Sequence, residues 1–161
     1  MRKRIILLIL IFLNLAVIFF FSHQDSKTST AVSDSISRQI EIRTPDYATK
    51  NQGEKNVLHV GVQRTLRQSA HVFLFFCLGI LTFLFLRTFH LKWFWYFCNL
   101  PAGFLFALSD EIHQLYVPGR TFGWDDISSD MMGFVLGMLI VEIVVFILKF
   151  LKCVHKKTAA K

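Results

Sequence analysis

Four apolar stretches, each close to the thickness of a bilayer and nearly free of charge, constrain this chain more than anything else in it. Ile5 to Phe21 carries no Asp, Glu, Lys or Arg. Neither does Ser69 to Leu86, nor Trp93 to Ser109, and Met131 to Leu148 carries only Glu142. At about 1.5 Å per residue, such a run extends about 26 Å, near the hydrocarbon thickness once a turn is added at each end. The apolar share of 53% is only slightly above a soluble average. The clustering, not the total, sets the class. The expected fold is an all-α integral membrane protein, a single domain over residues 1–161, with four transmembrane helices at about 5–21, 69–87, 92–109 and 131–149.

The first run starts with Arg2-Lys3-Arg4, as a signal peptide would. Its apolar body is long, however, and Phe19-Phe20-Phe21 occupies the place of a small-residue cleavage site, so it reads as an uncleaved anchor. The net charge of +7 is spread along the flanks of the runs, which argues against nucleic acid as a partner. Arg2, Lys3 and Arg4, then Arg87 and Lys92, then Lys149, Lys152, Lys156, Lys157 and Lys161 fall on one side of a four-span topology. Basic residues near span ends mark the cytoplasm, so both termini are expected there. The first outer loop, 22–68, also carries Lys and Arg, but it is long and mixed with Asp25, Asp34, Glu41, Asp46 and Glu54. The second outer loop is plainly acidic.

Within the first outer loop, Val32, Ile36 and Ile40 recur every four residues among polar ones. That spacing predicts an amphipathic helix on the outer membrane surface, ended by Pro45. Residues 47–56 read as loop, with helical periodicity returning near Val57. Pro101, with Gly103 nearby, is expected to kink the third span. Gly133 and Gly137 have the spacing that lets helices approach closely and would support a homo-oligomer. Cys77 and Cys98 read as apolar fillers, and Cys153 as a free thiol near the inner surface; no CxxC is present.

Ser109 to Arg120, SDEIHQLYVPGR, packs ionisable groups directly behind an apolar run. On a continuing helix, Asp110, His113 and Gln114 share a face at i, i+3 and i+4, with Glu111 about a quarter turn away. Val117-Pro118-Gly119 ends that helix, and Arg120 follows in the turn. Another helix begins near Trp124 and aligns Asp126 with Asp130; Arg67 and His71 align likewise on the second span. Topology brings all these to the outer ends of three helices. Each has a plainer reading: Asp126 and Asp130 opposing a helix dipole, arginines anchored at headgroups, His71 hydrogen-bonded in the core. Their convergence at one depth favours a polar site.

The run Asp110, Glu111, His113, Gln114, Val117, Pro118, Gly119, Arg120, then Asp126, Asp130 and Gly133, resembles the signature of VanZ-like membrane proteins. Phe21-Ser22-x-Gln24 resembles that family's stretch after the first helix. Arg67-x-Ser69-Ala70-His71-x-Phe73 resembles its approach to the second, with Gln68 in place of the usual Lys. The resemblance covers most of the chain and implies an envelope-related role, the family being named for a protein linked to low-level teicoplanin resistance. It implies no particular reaction.

Three functions fit these residues. A binding protein would hold the phosphate or carboxylate of an anionic lipid-linked envelope component on Arg67 and Arg120, with His71, Asp110, Glu111, His113, Gln114, Asp126 and Asp130 shaping the site. An enzyme would use His71 and His113 as acid and base, oriented by carboxylates such as Asp110. The Asp/His set also has donors enough for a divalent metal, although no spacing matches HExxH. A small transporter subunit would use Glu142 as part of a path. Membrane lipids are partners in all three.

Overall fold

The computed structural model describes residues 1–23, 37–44, 47–90, 93–118 and 120–158. Most of these residues are helical: α1 Arg2–His23, α2 over 37–42, α3 Gln52–Arg87, α4 Asn99–Gln114 and α5 Trp124–Thr158. Short 3₁₀ turns cover Tyr47–Thr49 and Trp93–Cys98. Among the described residues, three helices are long and apolar enough to cross a membrane, Arg2–His23, Gln52–Arg87 and Trp124–Lys156. Large apolar side chains remain uncovered on them, with Phe12 and Phe146 each 69% exposed. A contiguous apolar exterior of that kind suits hydrocarbon rather than water.

The predicted third span, 92–109, is not a continuous α-helix. Trp93–Cys98 is wound as 3₁₀, and α4 begins only at Asn99. Pro101 therefore lies in the first turn of α4, where its missing N–H would have had no partner inside the helix anyway. The expected kink is replaced by a helix start. Gly103 serves packing instead: a Cβ there would strike the ring of Phe134, 2.6 Å away.

The second helix starts earlier than the periodicity indicated. Residues 47–56 are not all loop, because α3 begins at Gln52 behind a capping box. Asn51 Oδ1 accepts from the Glu54 N–H at 2.9 Å, and Glu54 Oε2 accepts from the Asn51 N–H at 2.9 Å. The Asn-x-x-Glu signature was present in the sequence and satisfies two otherwise orphaned donors. At 36 residues, α3 is about 54 Å long and extends well beyond a bilayer core. Its first turns carry α2: Glu41 is buried and meets His59 Nδ1 at 2.7 Å. Of the amphipathic helix predicted over 32–42, residues 32–36 lie outside the described residues, as do Pro45, Gln24, Lys92, Gly119 and Lys161.

The core lies between α3 and α5, which form the most extensive packing in the molecule, with α1 and α4 laid against them. Phe75 and Leu78 of α3, Ala107 of α4, Ile127 and Phe134 of α5, and Ile11 and Ile18 of α1 are buried together. At three glycines the α3–α5 contact brings backbone against backbone. A Cβ on Gly133 would collide with the Val72 carbonyl, one on Gly137 with the Phe76 carbonyl, and one on Gly79 with the Phe134 carbonyl. The glycine spacing that suggested association between copies is thus consumed inside the chain. A buried Asn99 Nδ2–Thr82 Oγ1 hydrogen bond of 3.0 Å joins α4 to α3.

The two ends of the bundle are chemically distinct. At one end Arg4 donates to the Thr88 carbonyl at 2.8 Å and stacks over Phe89 at 4.2 Å. Arg87 is ion-paired with Glu142 there, so the isolated carboxylate of the fourth apolar run has a local partner. At the other end lie the C-terminus of α1, the middle of α3, the C-terminus of α4 and the N-terminus of α5.

Candidate functional site

Helical spacing builds the polar end from four elements. Arg64, Arg67, Gln68 and His71 form one stripe of α3 at i, i+3, i+4 and i+7. Asp110, Glu111 and Gln114 come from the last turn of α4, and Asp126 and Asp130 from the first turns of α5. Arg120 stands in the turn between them. Arg64, Arg67, Gln68, His71, Glu111, Gln114, Arg120, Asp126 and Asp130 line one cleft. Its interior room is about 20 Å³, enough for one or two waters or a bare cation.

Asp110 is the hub. It is fully buried, and its Oδ2 accepts from Ser22 Oγ at 2.8 Å and from Gln114 Nε2 at 2.9 Å. His71 Nδ1 lies 3.8 Å from the same oxygen, an ion-pair separation rather than a hydrogen bond. Gln114 in turn accepts from Arg120 Nη1 at 3.3 Å. Glu111, also fully buried, accepts from the Gly123 N–H at 2.8 Å and so fastens the α4–α5 turn. Gln68 Nε2 donates to Ser129 Oγ at 2.8 Å, tying α3 to α5 beside the cleft.

The electrostatics follow from burial. Loss of water pushes the Glu111 carboxyl above the usual carboxylate range; the Gly123 N–H opposes this, while Asp126 and Asp110 add to it. Burial also pulls the Arg120 guanidinium below its ordinary value, helped by the neighbouring Arg67 and opposed by Asp110, Asp126 and Glu111. His71 Nε2, Asp110 Oδ1 and Glu111 Oε1 are buried at this end with no hydrogen-bond partner among the described residues. Donor atoms of His71, Asp110 and Asp130, all buried and each from a different helix, lie within 4.8 Å of one another.

The sequence reading placed nine residues here, and eight of them meet at this end: Arg67, His71, Asp110, Glu111, Gln114, Arg120, Asp126 and Asp130. His113 turns elsewhere. Its ring lies 5.5 Å from Phe19, edge to face, and 5.5 Å from His23, stacked. Three residues advance a helix by about 300° and four by about 400°, so 113 and 114 straddle the direction of 110 by about 100°. Only one of them faces the cleft. Ser22, Arg64, Gln68 and Ser129 were not among the predicted site residues. Arg64 was legible as the i−3 neighbour of Arg67, and Ser22 as the first hydroxyl after a Phe run; Ser129 has no comparable signal. Glu142 lies at the opposite end, 57% exposed by side chain and paired with Arg87, so it does not continue this cleft.

Long apolar helices that enclose a buried, charged cleft define a multi-pass membrane protein with a polar site at one end of its bundle. The VanZ/LLP1 family profile matches residues 5–146, and the chain belongs to that family. No curated protein and no solved structure matches it.

Proposed function

We propose that the cleft binds the anionic group of a lipid-linked envelope component at the outer face of the cytoplasmic membrane, and that this binding underlies low-level protection against glycopeptides such as teicoplanin. In this reading both termini are cytoplasmic. Trp93–Cys98 and α4 together make the fourth crossing, and the amphipathic helix of the first outer loop rests on the membrane surface. The observation that carries it is the convergence of Arg64, Arg67 and Arg120 on one cleft. Three guanidiniums at a membrane boundary form a rim suited to bidentate contact with phosphate or carboxylate. Arg64 is exposed, while Arg67 and Arg120 are half-buried, so an anion is met progressively from the mouth inward.

The test is native mass spectrometry of the full chain in mild detergent with a polyprenyl phosphate or the matching neutral polyprenol. Retention of the phosphorylated lipid alone, weakened at least about tenfold in Arg67→Ala and Arg120→Ala, is expected for loss of a charge-assisted contact. Equal retention of both lipids, or no effect of either substitution, refutes the reading. Teicoplanin susceptibility of cells carrying the same variants at matched membrane levels tests the physiological half.

A second reading is an enzyme acting on the same anion. It draws on His71 Nε2 and Asp110 Oδ1, buried polar atoms with no hydrogen-bond partner among the described residues and so available to acid–base chemistry. Release of inorganic phosphate from the lipid by wild type, absent in His71→Ala, would favour it; no release removes it.

A further inference from the structure

We propose that His71, Asp110 and Asp130 form a binding site for a first-row divalent cation, Zn²⁺ or Mn²⁺, beside the cleft that His71 and Asp130 line. Each ligand comes from a different helix, α3, α4 and α5 respectively, and their donor atoms lie within 4.8 Å of one another. Donors about 2.1 Å from a common ion lie about 3.4 Å apart in tetrahedral geometry, so loading draws the side chains inward by up to roughly 1.4 Å. The buried positions are costly without an occupant. Asp110 is 0%, Asp130 2% and His71 7% exposed. Burying carboxylates side by side is unfavourable unless cations compensate them.

A second observation points to a ligand. Asp110 Oδ1 and His71 Nε2 have no hydrogen-bond partner among the described residues, although the other atoms of both side chains are engaged or faced. Ser22 and Gln114 occupy Oδ2 and hold the carboxylate in one orientation. That is the role outer-sphere partners play around metal ligands. The room of about 20 Å³ admits a bare ion or a water and excludes a phosphate group, so the anion of the proposed function would stay at the arginine rim.

The chemistry of the set narrows the ion. One imidazole and two carboxylates are a borderline donor set that suits Zn²⁺ or Mn²⁺ better than Ca²⁺, which prefers oxygen donors alone. Three protein ligands leave coordination open, as in sites where the ion meets water or substrate oxygen. Resting on the anion-binding reading, the ion would supply a positive centre beneath Arg67 and Arg120 for an oxygen of the same anion. The ion site itself does not depend on that reading, because loading is measured without lipid.

The experiment strips the detergent-purified full chain with chelator and removes the chelator. It then adds Zn²⁺ or Mn²⁺ alone, and reads bound metal per chain by elemental analysis and unfolding temperature in parallel. One ion per chain is expected for at least one of the metals, with a rise in unfolding temperature that grows with metal concentration. His71→Ala and Asp130→Asn should lose the ion and the rise, while His59→Ala, away from the cleft, should keep both. Asp130→Asn also guards against misfolding as the cause: without metal its unfolding temperature should equal or exceed that of wild type, since a crowded buried carboxylate has been neutralised. No stoichiometric loading by either metal overturns the proposal, leaving a structural hydrogen-bond network. Loading that survives both His71→Ala and Asp130→Asn overturns it equally, by placing the ion elsewhere. Metal loading without binding of the phosphorylated lipid would retain this site and remove only the anion reading.

Discussion

Ser22 and Asp110 are joined by a 2.8 Å hydrogen bond between two fully buried side chains that are 88 residues apart in sequence. The bond ties the last turn of α1 to the polar end of α4. It also engages Oδ2 and leaves Oδ1 of Asp110 without a hydrogen-bond partner among the described residues.

Replacing Ser22 by Ala leaves Oδ2 with Gln114 alone. A buried acceptor losing one charge-assisted partner should cost about 1–3 kcal/mol. The unfolding temperature of Ser22→Ala in detergent is therefore expected to fall by several degrees, while Ser22→Thr, which keeps the hydroxyl donor, should avoid most of that loss. An unchanged unfolding temperature in Ser22→Ala would mean that Asp110 is held by its other neighbours.

The glycines of the α3–α5 contact divide by what surrounds them. Gly79→Ala and Gly133→Ala drive a methyl into facing backbone and should each destabilise by roughly 1–3 kcal/mol, the range for overpacking. Gly61 lies on the same helix as Gly79, but nothing comes within 4 Å of a Cβ there. Gly61→Ala should therefore stabilise by roughly 0.5–1 kcal/mol through helix propensity. Denaturation midpoints of the three variants in one detergent decide it; a loss in all three would mean that glycine is required for some reason other than close approach.

Glu111 holds the Gly123 N–H while burial favours its uncharged form. Glu111→Gln keeps an acceptor oxygen and should fold with little change in stability. Glu111→Ala leaves the turn N–H unsatisfied and should lose about 1–3 kcal/mol. Comparable losses in both variants would show that the negative charge itself is needed.

Thr121 is exposed in the turn beside Arg120. With Cys77, Cys98 and Cys153 replaced, Thr121→Cys should react with a membrane-impermeant thiol reagent on intact cells. Reaction only after lysis would invert the proposed orientation and move the cleft to the cytoplasmic side.

Much of this organisation was readable from spacing. The aligned pairs Arg67/His71 and Asp126/Asp130 required only the helical repeat, as did the start of α5 near Trp124. What escaped depended on information outside that repeat. The Asn51–Glu54 capping box lies in polar sequence, where hydrophobic periodicity is silent, so periodicity alone starts α3 near Val57 rather than at Gln52. Pro101 was recognised as disruptive, but its place within the helix is set by the aromatic 3₁₀ segment before it. The spacing of Gly133 and Gly137 signals close helix approach, but a single sequence does not say which helix approaches. His113 and Gln114 had equal claims to the face of Asp110, and only the packing of Phe19 and His23 separates them.

The ring of Phe134, seated in the gap left by Gly103 and with its own backbone pressed on Gly79, lies one helical turn from Asp130. Its position makes it a fulcrum. A wedge filling a slot of fixed size prevents α4 and α5 from sliding along one another at that level, because any axial shift would drive the ring into backbone. Tilting about the wedge keeps the slot intact, and a small tilt there is magnified toward the helix ends. The stiffness of the polar end against such a tilt would then be set by the hydrogen bond between Glu111 and Gly123, not by the hydrophobic core below.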